Sequence, residues 1–130
     1  MTLIHFTHPD AYKSICADGQ IDLEGCNAKF GCDSMSREKR RIIYKTIGRH
    51  VWLTQSTAAL TATSNEVALH FNSDKINAVR WSDFKKKFRN SKSKQHMVDA
   101  FDESARRLGD NTNDYWLVSK PISLTNLIKE

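Results

Sequence analysis

The sequence predicts an α+β domain with about five or six short strands and three or four helices. Short apolar stretches alternate with polar residues, as strands do, and longer stretches place apolar residues at helical spacing between capping residues and glycines. The length supports this prediction, because 130 residues are read as one domain, residues 1–130, that can bury a core without disulfides or metal.

The first strand is predicted at LIHFT, residues 3–7. Alternation places Leu3, His5 and Thr7 on one face of this strand. A histidine and a threonine stand here where Val or Ile would pack better. Either their polar groups are satisfied within the fold or they line a site.

A helix follows this strand. Thr7 or His8 can be its N-cap, Pro9 lies near its first position, and Gly19 is its expected stop. The next residues, QIDL, are predicted to be extended. They lead into the loop EGCNAKFGCDSM, residues 24–35, whose length and two glycines suggest a flexible excursion that could carry a function.

A basic helix and a strand are predicted in the middle of the chain, within residues 36–56. Ser36 can cap a helix that runs to about Ile47 and stops at Gly48. HVWLTQS, residues 50–56, reads as a strand, and the Thr-, Ala- and Ser-rich residues 57–65 read as a linker.

The last part of the chain predicts further strands and helices. EVALHFN (66–72) alternates as a strand, and INAVRW (76–81) is a second apolar stretch that ends where Ser82 or Asp83 can begin a helix. A helix over 94–108 is predicted from the spacing of Met97, Phe101, Ala105 and Leu108, and a final strand is broken at Pro121.

The net charge of +5 is concentrated in two basic blocks, the first within residues 37–49 and the second within residues 85–94. They could bind a nucleic acid or an acidic protein, or they could be solvated helix faces. Aromatic residues lie among them, as in single-strand binders. The candidate binding residues are Arg40, Arg41, Lys85, Lys86, Lys87 and Arg89.

Three cysteines without framework spacing predict free thiols in a reducing compartment, here the cytoplasm. No apolar run approaches the roughly 18 residues of a membrane span, so we expect no membrane partner. No common zinc spacing is present either, so no metal is expected.

Three segments carry a resemblance to a known family. LIHFTHPDAYKSICADGQ (3–20) resembles the first signature of the ADP-ribosyltransferase superfamily, and in particular of DNA-modifying toxins of the DarT type, in which an H-x-T strand precedes a helix and a glycine. HVWLT (50–54) resembles the second core strand, and residues 114–124 resemble the last strands. The resemblance implies a split, mixed sheet with a cleft for NAD, and a size suited to a phage or mobile-element effector.

The resemblance also implies roles for particular residues. His5 would hydrogen-bond a ribose hydroxyl of NAD, and Thr7 would help to hold the same end of the cofactor. The alternative for His5 is a half-buried histidine paired with a backbone carbonyl. The other candidates for the cofactor site are Tyr44 and Trp52 as the ring on the nicotinamide, Thr54 at a strand end, and Arg49 with His50 at the diphosphate. The alternative for Trp52, and the one its residue type favours, is that it points into the core.

The catalytic acid departs from the family pattern. Transferases of this superfamily place a Glu on a late strand, where it stabilises positive charge on the ribose as the glycosidic bond breaks. YWLVSKPISL contains no acid. Glu66 is therefore the candidate, and its alternative is a solvated strand terminus.

Two functions of different class follow. The first is a small NAD-dependent ADP-ribosyltransferase that modifies a protein or nucleic-acid acceptor. The second is a basic, non-enzymatic module with the same fold that binds nucleic acid or an acidic protein.

Overall fold

The computed structural model describes residues 1–23, 45–55, 67–107 and 109–128. In chain order its strands and helices are β1 Thr2–Thr7, α1 Pro9–Asp18, β2 Gln20–Ile21, β3 Val51–Thr54, β4 Val67–Asn72, β5 Val79–Arg80, α2 Trp81–Phe84, α3 Lys92–Arg107, β6 Tyr115–Val118 and β7 Ile122–Ser123. Short 3₁₀ turns, including Lys85–Phe88 after α2, connect several of them. Residues 45–47 are helical. The α+β class predicted from the sequence is confirmed.

The sheet has five strands in the order β4-β1-β3-β6-β5, and β2 pairs with β7 in a second, small sheet. Every strand pair that the structure describes is antiparallel, whereas the expectation was a mixed sheet. Alternation identifies a strand but not the direction of its neighbour, because both ladder types present side chains with the same period of two.

One face of the five-stranded sheet carries a mostly aliphatic core. Leu3, Leu53 and Phe71 lie at its centre, and Ile15 of α1 and Ile122 of β7 cover them. Leu3 pairs with Phe71 across β1 and β4, so the two side chains point the same way. We call this layer the aliphatic core.

The opposite face carries an aromatic core. Its buried residues are Ile47, Trp81, Phe88, Val98 and Leu117, and the rings of Trp52, Phe84, Phe101 and Tyr115 pack against them. Helices α2 and α3 supply Trp81, Phe84, Val98 and Phe101, so helices cover this face as well and the sheet lies between two packed layers.

Helix α1 begins and ends where the sequence predicts. His8 is its N-cap, with Nδ1 accepting a hydrogen bond from the Asp10 N–H at 3.2 Å, and Pro9 occupies the first turn. Gly19 ends the helix with a φ of 72°, a conformation that glycine adopts without steric cost.

The apolar stretch 76–81 contains only a short strand and the start of a helix. A 3₁₀ turn at Ser73–Lys75 and the positive φ of Asn77 precede β5, which is confined to Val79–Arg80. Helix α2 starts at Trp81, before the predicted Ser82 or Asp83. Burial of the whole Trp81 side chain decides this boundary, because the apolar residue belongs to the aromatic core rather than to an extended strand.

The later elements follow their predictions more closely. Met97, Phe101 and Ala105 lie on α3, whose described part begins at Lys92 rather than at residue 94; Leu108 lies outside the described residues. Pro121 separates β6 from β7, as expected. None of the helices in the described ranges combines the length and the apolar character of a membrane span.

Candidate functional site

His5 lies within β1 on the face of the aliphatic core. Its Nδ1 is 2.8 Å from the backbone carbonyl oxygen of Trp52 in the neighbouring strand β3. A carbonyl only accepts hydrogen bonds, so Nδ1 carries the proton and donates. The alternative role for His5, a half-buried histidine paired with a backbone carbonyl, therefore describes one side of this imidazole correctly.

The hydrogen bond at Nδ1 also determines the state of the second ring nitrogen, Nε2. Burial lowers the pKa of His5 below its ordinary 6.5, and the hydrogen bond to Trp52 acts in the opposite direction without overcoming it. The neutral form is favoured at pH 7, with the proton on Nδ1 and a lone pair on Nε2. His5 can thus present one acceptor, but no second donor, to a ligand.

Thr7 lies on the same face of β1 as His5 and is buried. It pairs with Val67, the first residue of β4, at the end of β1 from which α1 departs. The structure therefore brings together the two residues of the H-x-T strand and the start of β4.

The predicted residues of β3 lie on the other face of the sheet. Ile4 pairs with Thr54, so the side chain of Thr54 points away from the His5 face, and Trp52 follows the same alternation. Trp52 packs in the aromatic core against Trp81 and Phe101, with ring centroids 5.4 Å apart in each case. The side chains of Trp52 and Thr54 therefore lie on the opposite sheet face from His5. Only the backbone carbonyl of Trp52 contacts the His5 ring.

The start of α1 is a poor phosphate site, contrary to what a helix N-terminus beside the strand suggests. The Asp10 N–H is already capped by His8, and the exposed Asp10 carboxylate lies in the first turn. A carboxylate there occupies the favourable end of the helix dipole and repels a second anion.

The two candidates for the diphosphate, Arg49 and His50, lie in different environments. Arg49 is exposed, whereas His50 is buried in the aromatic core and has a lowered pKa, mainly because burial disfavours its charged form. A neutral, buried His50 does not suit a diphosphate. Tyr44, Glu66, Arg40 and Arg41 lie outside the described residues.

Lys85, in the second basic block, forms an ion pair within the fold. Its Nζ donates to Asp102 Oδ2 at 2.7 Å, while Asp102 Oδ1 accepts from Trp81 Nε1 at 2.8 Å. Both charged side chains are mostly buried, so Asp102 joins α3 to α2 and to the turn Lys85–Phe88. Lys85 is therefore a weaker candidate for a partner surface than the sequence implied.

The other residues of that block are exposed. Lys86 lies 3.5 Å from Asp83 in a surface pair, and the Lys87 Nζ lies 3.6 Å from the centroid of the Phe84 ring. Lys87 and Arg89 form no ion pair with any residue in the described ranges. We call Lys86, Lys87 and Arg89 the basic surface.

The sequence analysis did not single out Trp116, which lies on the same sheet face as His5. Trp116 pairs with Leu53 and Arg80, its Nε1 donates to Gln55 Oε1 at 3.0 Å, and the Arg80 guanidinium lies 5.0 Å from its ring centroid. The alternation of YWLV could have shown that Trp116 and Tyr115 point to opposite faces, but not which of them shares a face with His5.

Comparisons of the chain with protein-family models, with curated proteins and with solved structures found no match.

Proposed function

We propose that this chain is a small NAD-dependent ADP-ribosyltransferase that holds a ribose of NAD at His5. The observation that carries the proposal is the fixed orientation of the His5 imidazole, with Nδ1 bound to the Trp52 carbonyl and Nε2 left as an acceptor. A ribose hydroxyl can donate to such an acceptor. The resemblance of residues 3–20 to the H-x-T signature supports the choice of NAD.

The residues near His5 are consistent with a role in holding a ribose. Thr7 can donate and accept through its hydroxyl, and it lies on the same strand face as His5. Val67, which pairs with Thr7, follows Glu66 directly in the sequence. We therefore keep Glu66 as the proposed catalytic acid, acting on positive charge that develops on the ribose.

NAD at millimolar concentration should raise the melting temperature of the unmutated protein, because a ligand that binds only the folded state stabilises it by mass action. His5→Ala should abolish this NAD-dependent rise, whatever its effect on the melting temperature without ligand. The measurement is a thermal unfolding scan of each protein with and without NAD.

His70→Ala is the matched control for that scan. His70 pairs with Ile4, so it lies one row from His5 but on the opposite sheet face, and its variant should keep the NAD-dependent rise. If the unmutated protein melts at the same temperature with and without NAD, the proposed function loses its main support.

A second function, binding of a nucleic acid through the basic surface, is favoured by one observation. Lys87 is exposed and its Nζ lies 3.6 Å from the centroid of the half-buried Phe84 ring, so a cation and a ring lie together on the surface. Such a surface suits the phosphates and bases of a single strand. Such binding would be the whole function of a non-enzymatic module. In a transferase it would hold a nucleic acid as the acceptor of the ADP-ribose.

Affinity for a single-stranded oligonucleotide should then fall steeply with salt, because bound counterions are released. Replacing Lys86, Lys87 and Arg89 with Ser should reduce the slope of log K against log salt by about 2, at roughly 0.7 per phosphate contact. Lys85 is left unchanged, since its loss would break the pair with Asp102.

A control variant replaces three exposed lysines elsewhere in the chain with Ser, at Lys13, Lys75 and Lys120. It loses the same number of positive charges as the variant of the basic surface. Its slope should stay near that of the unmutated protein. Equal reductions in both variants would mean that net charge, rather than the basic surface, governs binding.

A further inference from the structure

Lys87 and Lys94 converge on one aromatic ring from two different elements. The Nζ of Lys87, in the turn Lys85–Phe88, lies 5.8 Å from the centroid of the Phe88 ring. The Nζ of Lys94, in α3, lies 5.9 Å from the same centroid. Both lysines are exposed, whereas Phe88 is only 7% exposed. Two ammonium groups therefore share the small area of surface above a buried ring.

Neither of these ammonium groups is neutralised within the described chain. No carboxylate of residues 1–23, 45–55, 67–107 or 109–128 forms an ion pair with Lys87 or Lys94. Nearby cations do have such partners: they are Lys85 with Asp102, Lys86 with Asp83, and Arg106 with Glu103. Like charges repel, so bringing two of them together without an acid costs free energy.

The fold accounts for the stems of these two lysines but not for the charge of Lys94. Their methylene groups can cover the Phe88 ring, as long cationic side chains commonly cover apolar surface. Lys94 stands in the first turn of α3, which contains no acid, although the dipole of a helix favours acids there. A charge that is opposed by its neighbour and by its helix points to a partner that supplies negative charge.

We propose that Lys94 extends the basic surface onto α3 and binds, together with Lys87, phosphates of a nucleic-acid strand that passes over Phe88. This inference rests on the second function proposed above. Lysine binds phosphate as a point charge on a flexible stem, so two such groups need no fixed geometry to hold a strand. The strand reaches only the start of α3, because the later turns carry the acids Asp99, Asp102 and Glu103.

Salt-dependent binding of a single-stranded DNA oligonucleotide, followed by fluorescence anisotropy, tests this proposal. Lys94→Met keeps an unbranched stem over Phe88 and removes the charge. It should reduce the slope of log K against log salt by about 0.7, the value of one phosphate contact on a single strand. Lys94→Arg keeps the charge and should retain the slope of the unmutated protein.

Lys92→Met is the matched control. Lys92 is exposed and lies in the same turn of α3, but residues two apart on a helix do not share a face. This variant loses the same charge and should keep a slope near that of the unmutated protein. Without DNA, the melting temperature of Lys94→Met should not fall, because the stem remains and a repulsive charge is gone. A fall would mean that the charge of Lys94 serves the fold.

Three outcomes of the binding experiment would overturn the inference. Equal slopes for Lys94→Met and Lys92→Met would mean that Lys94 does not contact the strand, while the basic surface still binds it. No salt-dependent binding by the unmutated protein would overturn the second function and this inference together. Poly-glutamate that binds as tightly as the oligonucleotide, with the same dependence on Lys94, would identify the partner as an acidic protein instead.

Discussion

Trp81→Ala is expected to lower the free energy of unfolding by about 3–5 kcal/mol, a large effect for a single substitution in a chain of this size. The Trp81 side chain is fully buried, and its ring lies within 6.0 Å of the Trp52, Phe84 and Phe101 ring centroids. Truncation would leave a cavity in the aromatic core. It would also remove the N–H that donates to Asp102.

Urea unfolding followed by far-ultraviolet circular dichroism measures this effect. Trp81→Phe separates the ring from the N–H, and it should cost less than the alanine variant because most of the packing remains. Trp116→Ala is the matched control, a partly exposed tryptophan whose loss should cost clearly less. Equal losses for Trp81→Ala and Trp116→Ala would contradict the central place of Trp81 in the aromatic core.

Glu66→Gln is expected to slow the release of nicotinamide from NAD about a hundredfold or more. The substitution keeps the shape and removes the charge that would stabilise the cation-like ribose. Affinity for NAD should change little, because that interaction strengthens mainly in the transition state. The measurement is nicotinamide release, with and without cell extract as a source of acceptors.

Glu103→Gln provides the comparison, since Glu103 lies on α3 and bonds Arg106 and Arg107 at the surface. It should leave the rate unchanged. Equal rates for Glu66→Gln and the unmutated protein would mean that Glu66 is not the catalytic acid. If neither releases nicotinamide but both bind NAD, the chain is a non-catalytic relative.

The sequence predicted correctly those helices and strands whose position is determined by residues close together in the chain. The caps of α1, the alternation of β1 and the break at Pro121 each follow from a few adjacent side chains. The boundary at Trp81 does not, because it depends on burial against Leu117 and Val98, which are distant in sequence. Tertiary packing overrides local pattern at such positions.

The same distinction applies to the site. Alternation placed His5 and Thr7 on one face correctly, since both belong to a single strand. It could not show that Trp52 and Thr54 face the other way, because that depends on the register Ile4–Thr54 between two strands. Nor could it show that Lys85 is bound by Asp102, a residue of another helix.

The most direct test of the central claim is an NMR titration of the protein, labelled with ¹⁵N in its histidine rings, with NAD. Before addition, His5 should show a protonated Nδ1 and an acceptor Nε2, as its bond to the Trp52 carbonyl requires. On addition of NAD, the Nε2 signal of His5 should move while Nδ1 stays near its position. A His5 Nε2 signal that does not move at saturating NAD would contradict the proposal that this imidazole holds the ribose.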